Sequence, residues 1–541
     1  MKIRCGDDRL VAPTIMKLQF MKIKEQWFGK PFVITLGALA GFFLIALGVF
    51  HNFGEPIALV IIGLGVFALT LWKLEFGIFV AFAELFANSH GHLISTSVGG
   101  FSLSLRMVVF LVVMLAWVGL LIFKKTKLSL KDNRLIWFAP LFVAVIIGYT
   151  VGFSQNDFRQ AFDDGNAYFY LAYLFPILSI EWNNSRLRIL LQVFAAAAIW
   201  VVILTLGLLY EFTHFPAWML SRSYTFIRDT RTGELTRMTD SIFRIFLQAQ
   251  FSPIALTFLL APWLWLKDFE KKSRFWLVLI LSCLVGTILI GLSRSFWVGI
   301  LLGLVPFIIL LIKLLKPGFK KLIGSAGLGA SSGLIGAVIL VLIILFPLPY
   351  RMSSAGELSS LFSSRAGDLG DVAISSRWNL LPEMWQEVVV SPILGSGFGE
   401  EVTFKTDDPR ARSISPDGTW TTHAFEWGWL DLWLKMGLLG PLAFLWLFYG
   451  LLRGLLTQSN RPAWLTVGLV SSLVMLYATH IFSPYLNHPI GLGFILLVVP
   501  FLETENKFVL FRLPQGIRLE SRPANLSSAQ MTNSRLDVGE I

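Results

Sequence analysis

"PFVITLGALAGFFLIALGVF", residues 31–50, runs for twenty positions without a charged side chain. At about 1.5 Å of rise per residue, such a helix is about 30 Å long, which matches the hydrocarbon core of a bilayer. Seven Lys or Arg precede it and no small-residue cleavage site follows, so it reads as a retained signal anchor and not a cleaved leader. Thirteen further apolar segments follow, at 55–72, 75–88, 104–123, 135–152, 166–180, 187–211, 250–266, 275–292, 297–314, 331–350, 428–452, 463–480 and 488–503. The pair 55–72 and 75–88, parted only by "KLE", reads as a tight hairpin or as one broken helix. Composition agrees: 55% of the 541 residues are hydrophobic and only 15% charged, against about 25% charged in soluble domains. The expected fold is all-α, a polytopic transmembrane bundle of about 12–14 spans with a large outer-face loop containing interfacial helices.

The connecting charges test that count. If the N-terminus is cytoplasmic, alternation places "KKTKLSLKDNR" (124–134), "EWNNSRLR" (181–188), "KDFEKKSR" (267–274), "KLLKPGFKK" (313–321) and "RGLLTQSNR" (453–461) inside, and all are basic. "ANSHGHLISTSVGG" (87–100) falls outside and has no Lys or Arg, while the outside loop 151–166 is net acidic. This is the positive-inside pattern, with both termini cytoplasmic. It also accounts for the net charge of +11 as topogenic, so nucleic acid is not an expected partner. Cys5 and Cys283 sit too far apart in character to form a disulfide framework, and the seven histidines show no metal spacing. The organisation expected is a tail over 1–30, a bundle over 31–350, a periplasmic loop over 351–425, C-terminal helices over 426–503 and a cytoplasmic tail over 504–541.

Two outer segments break the poverty of cations on that face. Near 212–247 lie Arg222, Arg228, Arg231, Arg237 and Arg244 without a lysine. Guanidinium groups grip phosphate oxygens with paired hydrogen bonds; ordinary salt bridging to Asp229, Glu234 and Asp240 is the plainer alternative. Arg294, in "TILIGLSRSFWVGI" (287–300), has no acid within twenty residues. It either snorkels to headgroups or binds an anion at the membrane surface. The central stretches of the spans are almost free of charge, which disfavours a transporter, the rival reading for so many spans.

The 351–425 loop carries ten Asp or Glu against six Lys or Arg. Within it, "RWNLLPEMWQEVVVSPILGSGFGE" (377–400) places Trp378, Leu381, Trp385 and Val388 on one helical face. That face suits a helix in the interface plane, with its apolar side in lipid or against the bundle. Pro382 is expected near its start or at a kink. Gly395, Gly397 and Gly399 read as a turn bringing backbone close to a neighbouring helix, not as a phosphate loop. His423 follows at the membrane junction, where an imidazole can exchange a proton near neutrality or serve structure alone. Glu426 comes one turn later.

"SRSFWVGI", then "SSRWNLLPEMWQEVVVSPILGSGFGE", then "HAFEWGWLDLWLKMGLLG", in that order on the expected outer face, resemble the O-antigen ligase and Wzy-polymerase superfamily over residues 240–450. The resemblance implies a GT-C-like glycosyltransferase at the outer face of a bacterial cytoplasmic membrane. Its donor would be a glycan on undecaprenyl diphosphate and its acceptor a glycan or lipid hydroxyl, with inversion and without metal or cofactor. Carried over by position, Arg294 and Arg377 take the functional arginine places, His423 that of the catalytic histidine and Arg244 a further basic place. Arg237 and Glu426 are expected substrate contacts. The chain departs from the family in having Ala424 where Asn commonly follows the histidine.

Overall fold

In a computed structural model, the described residues are 23, 25–52, 54–99, 101–128, 132–238, 242–266, 271–349, 372–407, 409–457 and 461–502. Tails 1–22 and 503–541, Asp240 and the first part of the large loop lie outside them. The helices are α1 (Lys30–Val49), α2 (Gly54–Trp72), α3 (Leu74–Ala87), α4 (Leu105–Ile122), α5 (Leu135–Gln155), α6 (Phe158–Gly165), α7 (Leu174–Leu178), α8 (Asn184–His214) and α9 (Ala217–Asp229). They continue with α10 (Phe251–Leu260), α11 (Lys271–Gly291), α12 (Arg294–Leu310), α13 (Phe319–Ile344), α14 (Val372–Val390), α15 (Pro409–Ile414), α16 (Gly428–Met436), α17 (Leu439–Thr457), α18 (Ala463–Thr479) and α19 (Pro489–Val498). The only strands among the described residues form three antiparallel hairpins: β1–β2 (Ser95–Val98, Phe101–Ser104), β3–β4 (Glu234–Arg237, Phe243–Phe246) and β5–β6 (Val402–Lys405, Thr419–Thr422). The chain is an all-α polytopic bundle.

All fourteen apolar segments are helical, but they fall into two kinds. Among the described residues, nine helices are long and apolar enough to cross a membrane. The other five, at 74–87, 166–178, 251–265, 463–479 and 489–502, are short, and two of them finish in a 3₁₀ turn. The segment 55–88 resolves into two helices that break at Lys73, whose backbone is extended, and the contact of Gly77 with Thr70 shows that they fold back on each other. Burial explains the short lengths. Nearly every residue of α10, α18 and α19 is buried, whereas the lipid-facing α1 buries few. A helix wrapped by other helices has no lipid to match, so the hydrophobic thickness does not set its length. Hydropathy alone cannot separate the two kinds.

Side-chain contacts sort the connections into two ends as alternation requires. At one end Ser89 donates to Thr232 O (2.6 Å), Asn156 Nδ2 to Ser396 O (3.1 Å), Tyr485 to Gln248 O (3.0 Å) and Ser483 to Ser295 Oγ (2.9 Å). At the other, Arg134 donates to Val499 O (3.3 Å), Arg186 pairs with Glu75 (3.0 Å) and Arg461 donates to Leu455 O (2.9 Å) and Phe501 O. Towards the first end, Arg106 pairs with Glu84 (3.0 Å), and Lys435 with Asp431 and Asp164.

The large loop builds a small core of its own, and here one expectation needs correction. The buried face of α14 is Leu380, Met384 and Val388, packed on Val402, Phe404, Phe425 and Leu434. Trp378 and Trp385 flank that face half exposed, with Trp378 edge-on to Trp427 (5.2 Å) and Trp385 to Trp433 (5.8 Å). A tryptophan wide enough to reach sideways satisfies itself on a neighbouring ring, so periodicity misplaced the face by about one residue step. Pro382 lies mid-helix, ten residues after its start. The glycine turn behaves as read: Gly395, Gly397 and Gly399 have φ of 74°, 83° and 84°. Phe398 N–H donates to Gly148 O (3.0 Å), and Asn156 Nδ2 donates to Phe398 O (2.9 Å). A Cβ at Gly397 would collide with the Gly152 backbone on α5. Gly397→Ala is therefore expected to cost more than the ~1–2 kcal/mol of left-handed backbone alone, read as a fall in apparent Tm in detergent. Gly327→Ala, where a methyl meets open space, should leave Tm in place.

Candidate functional site

The hairpin β3–β4 builds one wall of the site. Strand residues alternate faces, so Glu234 and Thr236 share a side with their cross-strand partners Phe246 and Arg244. All four line a cavity of about 650 Å³. Arg244 donates through Nε to Gly291 O (2.9 Å) and lays its guanidinium over the Phe246 ring at 4.8 Å. Glu234 lies 3.9 Å from it and is largely exposed, so Coulomb attraction between the two is strongly screened.

The opposite wall is the junction of α11 and α12. Leu292 turns the chain with φ 45°, unusual for a leucine. Ser293 then caps α12 by position only, because its hydroxyl bonds Ser295 Oγ (3.0 Å). Arg294 thus enters the cavity at a helix N-terminus whose N–H groups favour an anion. Ser295 is in turn bonded by Ser483. The third side comes from the large loop. Trp427 Nε1 donates to Arg377 O (2.8 Å) while stacking beside Trp378 and Phe482, and the Arg377 guanidinium pairs with Glu426.

One cavity therefore gathers Arg244, Arg294, Arg377 and Glu426 from four distant parts of the chain. Arg237 and His423 do not line it. Arg237 sits at the far end of β3, paired across the hairpin with Phe243. His423 Nδ1 accepts from Gln160 Nε2 (3.2 Å), which leaves the hydrogen of a neutral ring on Nε2. The His423 carbonyl accepts from Lys435 Nζ (2.9 Å).

Lys435 heads a buried network that no sequence signal pointed to. Its ammonium meets Asp164 Oδ1 (2.6 Å) and Asp431 Oδ1 (2.8 Å); Asp164 Oδ2 accepts from Gly399 N–H (2.9 Å), and Asn487 bonds Asp431 (2.5 Å). The network ties the glycine turn, the His423 segment and the residue before His488 into one unit. His488 lines the main cavity and was also missed, being one scattered histidine among seven. Its Nδ1 accepts from Ile490 N–H (3.2 Å), so a neutral ring carries its hydrogen on Nε2 and acts as a donor.

A second cavity of about 370 Å³ adjoins the first and shares Glu234, Thr236, Phe246 and Gln248 with it. Arg228, Arg231, Tyr224 and His90 lie on its far side. Burial, together with Arg106 and Arg231, lowers His90 and His92 to about 4, so both are neutral at pH 7. The positive charge there belongs to the arginines.

Residues 276–445 match the family model described as O-antigen ligase. No curated protein and no solved structure matches the chain. The match takes in Arg294, Arg377, His423 and Glu426, while Arg244 lies N-terminal to it. The chain, a multi-pass membrane protein by the nine long apolar helices among its described residues, is thus similar over residues 276–445 to the O-antigen ligase family.

Proposed function

We propose that this protein is a membrane glycosyltransferase that moves a glycan from an undecaprenyl-diphosphate carrier to an acceptor hydroxyl, with inversion at the anomeric carbon. It would act at the outer face of a bacterial inner membrane, with both termini cytoplasmic and the 351–425 loop outside. The observation that carries the reading is the convergence of Arg244, Arg294 and Arg377 on one cavity beside Glu426.

In the proposed step the acceptor oxygen forms a bond to the anomeric carbon as the bond from that carbon to the diphosphate oxygen breaks. The electron pair leaves with the diphosphate, and fixed guanidinium groups meet the growing charge where other enzymes use a metal ion. The acceptor proton needs a base in the cavity. Glu426 stands there, whereas His423 has its Nδ1 occupied by Gln160 and lies outside the lining. Glu426 is accordingly assigned the base, and His423 the job of fixing the loop against α6 and Lys435.

Purified protein in liposomes, given an undecaprenyl-diphosphate oligosaccharide and a panel of acceptors, should release carrier diphosphate. Elongation of carrier-linked chains marks a polymerase, and transfer to another lipid marks a ligase. No release of carrier diphosphate with any acceptor under any condition would sink the enzyme reading. Glu426→Gln is expected to lower kcat by ~10²–10⁴, with His423→Asn keeping most of it; the reverse ranking would return the base to His423.

A further inference from the structure

The end of α14 carries an apolar surface that the small core of the loop does not use. Residues 388–399 hold no Asp, Glu, Lys or Arg, with Glu387 before them and Glu400 after. Val389, Val390, Ile393 and Leu394 are 59%, 75%, 74% and 56% exposed, and bare apolar side chains gathered this closely mark a contact surface.

Backbone contacts give the depth of that surface. α5 has 21 residues and is about 31 Å long, so it spans the hydrocarbon with its outer end at Gln155. Phe398 N–H donates to Gly148 O (3.0 Å), which lies about 10 Å short of that end. Met436 and the Lys435 carbonyl meet Gly148 at the same level. Leu438 N–H then donates to Pro392 O (3.0 Å), and Gly437 lies against Ile393 O. The chain from Pro392 to Phe398 is thus wedged between α5 and the start of α17, within the outer third of the span. Leu438, Leu442, Leu445 and Tyr449 form an exposed stripe along α17, itself apolar enough to cross a membrane. Pro392–Leu394 extends that stripe without a charged step.

Irregular backbone at membrane depth must have its polar groups met by protein. Pro392 has no N–H, and its carbonyl accepts from Trp433 Nε1 (2.9 Å) as well as from Leu438. Ser391 N–H donates to Glu387 O (3.3 Å), Gly395 N–H to Ser391 O (2.9 Å) and Ser396 N–H to Leu434 O (2.7 Å). A turn in water needs none of these bonds. Trp385, one helical turn before Val389, stacks edge-on with Trp433, and such rings favour the headgroup layer.

We propose that Val389–Leu394 is a membrane foot: its side chains insert among the acyl chains of the outer leaflet, and lipid is the partner that holds this end of α14. The choice of leaflet rests on the orientation in the proposed function; the lipid contact does not depend on transfer. Arg377 lies near the other end of the same helix, about 18 Å from Val389, and lines the reaction cavity. α14 is therefore an arm with lipid at its foot and a guanidinium at its tip, and the foot is a positioning element for Arg377.

The test uses full-length protein in phosphatidylcholine nanodiscs, with Cys5→Ser and Cys283→Ala, and a nitroxide label on Ile393→Cys. Leu442→Cys on α17 is the lipid reference and Thr403→Cys on β5 the water reference. The label at 393 is expected to collide with oxygen in preference to a nickel chelate, as at 442, with the opposite preference at 403. Preference for the nickel chelate at 393 would overturn the proposal. Protection from both agents would also overturn it, by showing that residues 350–371 or a second copy of the chain cover the surface. Val390→Glu with Ile393→Glu is expected to lower kcat in liposomes roughly 10- to 100-fold without a change of Tm in detergent, while Val390→Leu with Ile393→Leu keeps the rate. Unchanged turnover by the glutamate pair would overturn the link to Arg377. An inert protein with the hydrocarbon signature at 393 would defeat the glycosyltransferase reading and leave the foot standing.

Discussion

Arg294→Ala is expected to lower transfer by about a thousandfold in kcat, with the amount of folded protein in the membrane unchanged. The side chain enters the cavity at the N-terminus of α12, beside two serine hydroxyls that bond each other. In the proposed reaction, its removal takes one fixed cation from the place where the leaving diphosphate would gather charge. Little of α12's packing goes with it, because Ser295 and Phe296 hold the buried side of that first turn. Lysine should restore only part of the rate, since a point charge replaces a planar fork that can hold two oxygens. The measurement is the initial rate of carrier-diphosphate release at saturating acceptor. Normal turnover by the alanine variant would remove Arg294 from the site and weaken the case for the whole cavity.

Lys435→Met should act on folding more than on chemistry. Two carboxylates, Asp164 and Asp431, face this one ammonium in a buried setting, with Lys435 and Asp431 each only 3–4% exposed. Removing one partner of a buried ion pair costs about 3–5 kcal/mol, because the remaining charges lose their compensation. The variant is expected to show a large fall in apparent Tm and poor recovery from detergent extraction. Asp164→Asn combined with Asp431→Asn in the Lys435→Met background should recover much of that loss, because no charge is then left uncompensated. A triple variant no better than Lys435→Met would mean that shape, not charge, is what the network supplies.

Several of these features could be read in the sequence for plain reasons. Uninterrupted apolar runs and alternating loop charges report on membrane insertion directly, so the bundle and its two ends were accessible. Arg294 stood out because a cation at a membrane boundary is costly enough to need an explanation, whereas Arg377 was legible only through the resemblance of its segment to the O-antigen ligase superfamily. Lys435 and Asp431 did not stand out, because a lysine and an aspartate four residues apart in a helix look like an ordinary surface pair. Their burial follows only from Asp164 arriving from a distant helix. The second cavity was equally hidden: it exists because a short hairpin folds between two cation-bearing segments, and no periodicity marks where a hairpin wall will stand. The face of α14 was misjudged for a related reason, since a tryptophan's contacts depend on which ring lies across from it.

The short inner helices have one more consequence. α3 and the helical run 489–502 are fourteen residues each, about 21 Å long against roughly 30 Å of hydrocarbon. α3 leads directly to Ser89 and His90, α19 begins at His488, α18 runs into Ser483 and Tyr485, and α10 starts just after Gln248. Every one of these central columns stops at the cavity floor. The floor is consequently made from the ends of the most buried helices of the bundle, whose packing on every side holds the cavity-lining residues in place.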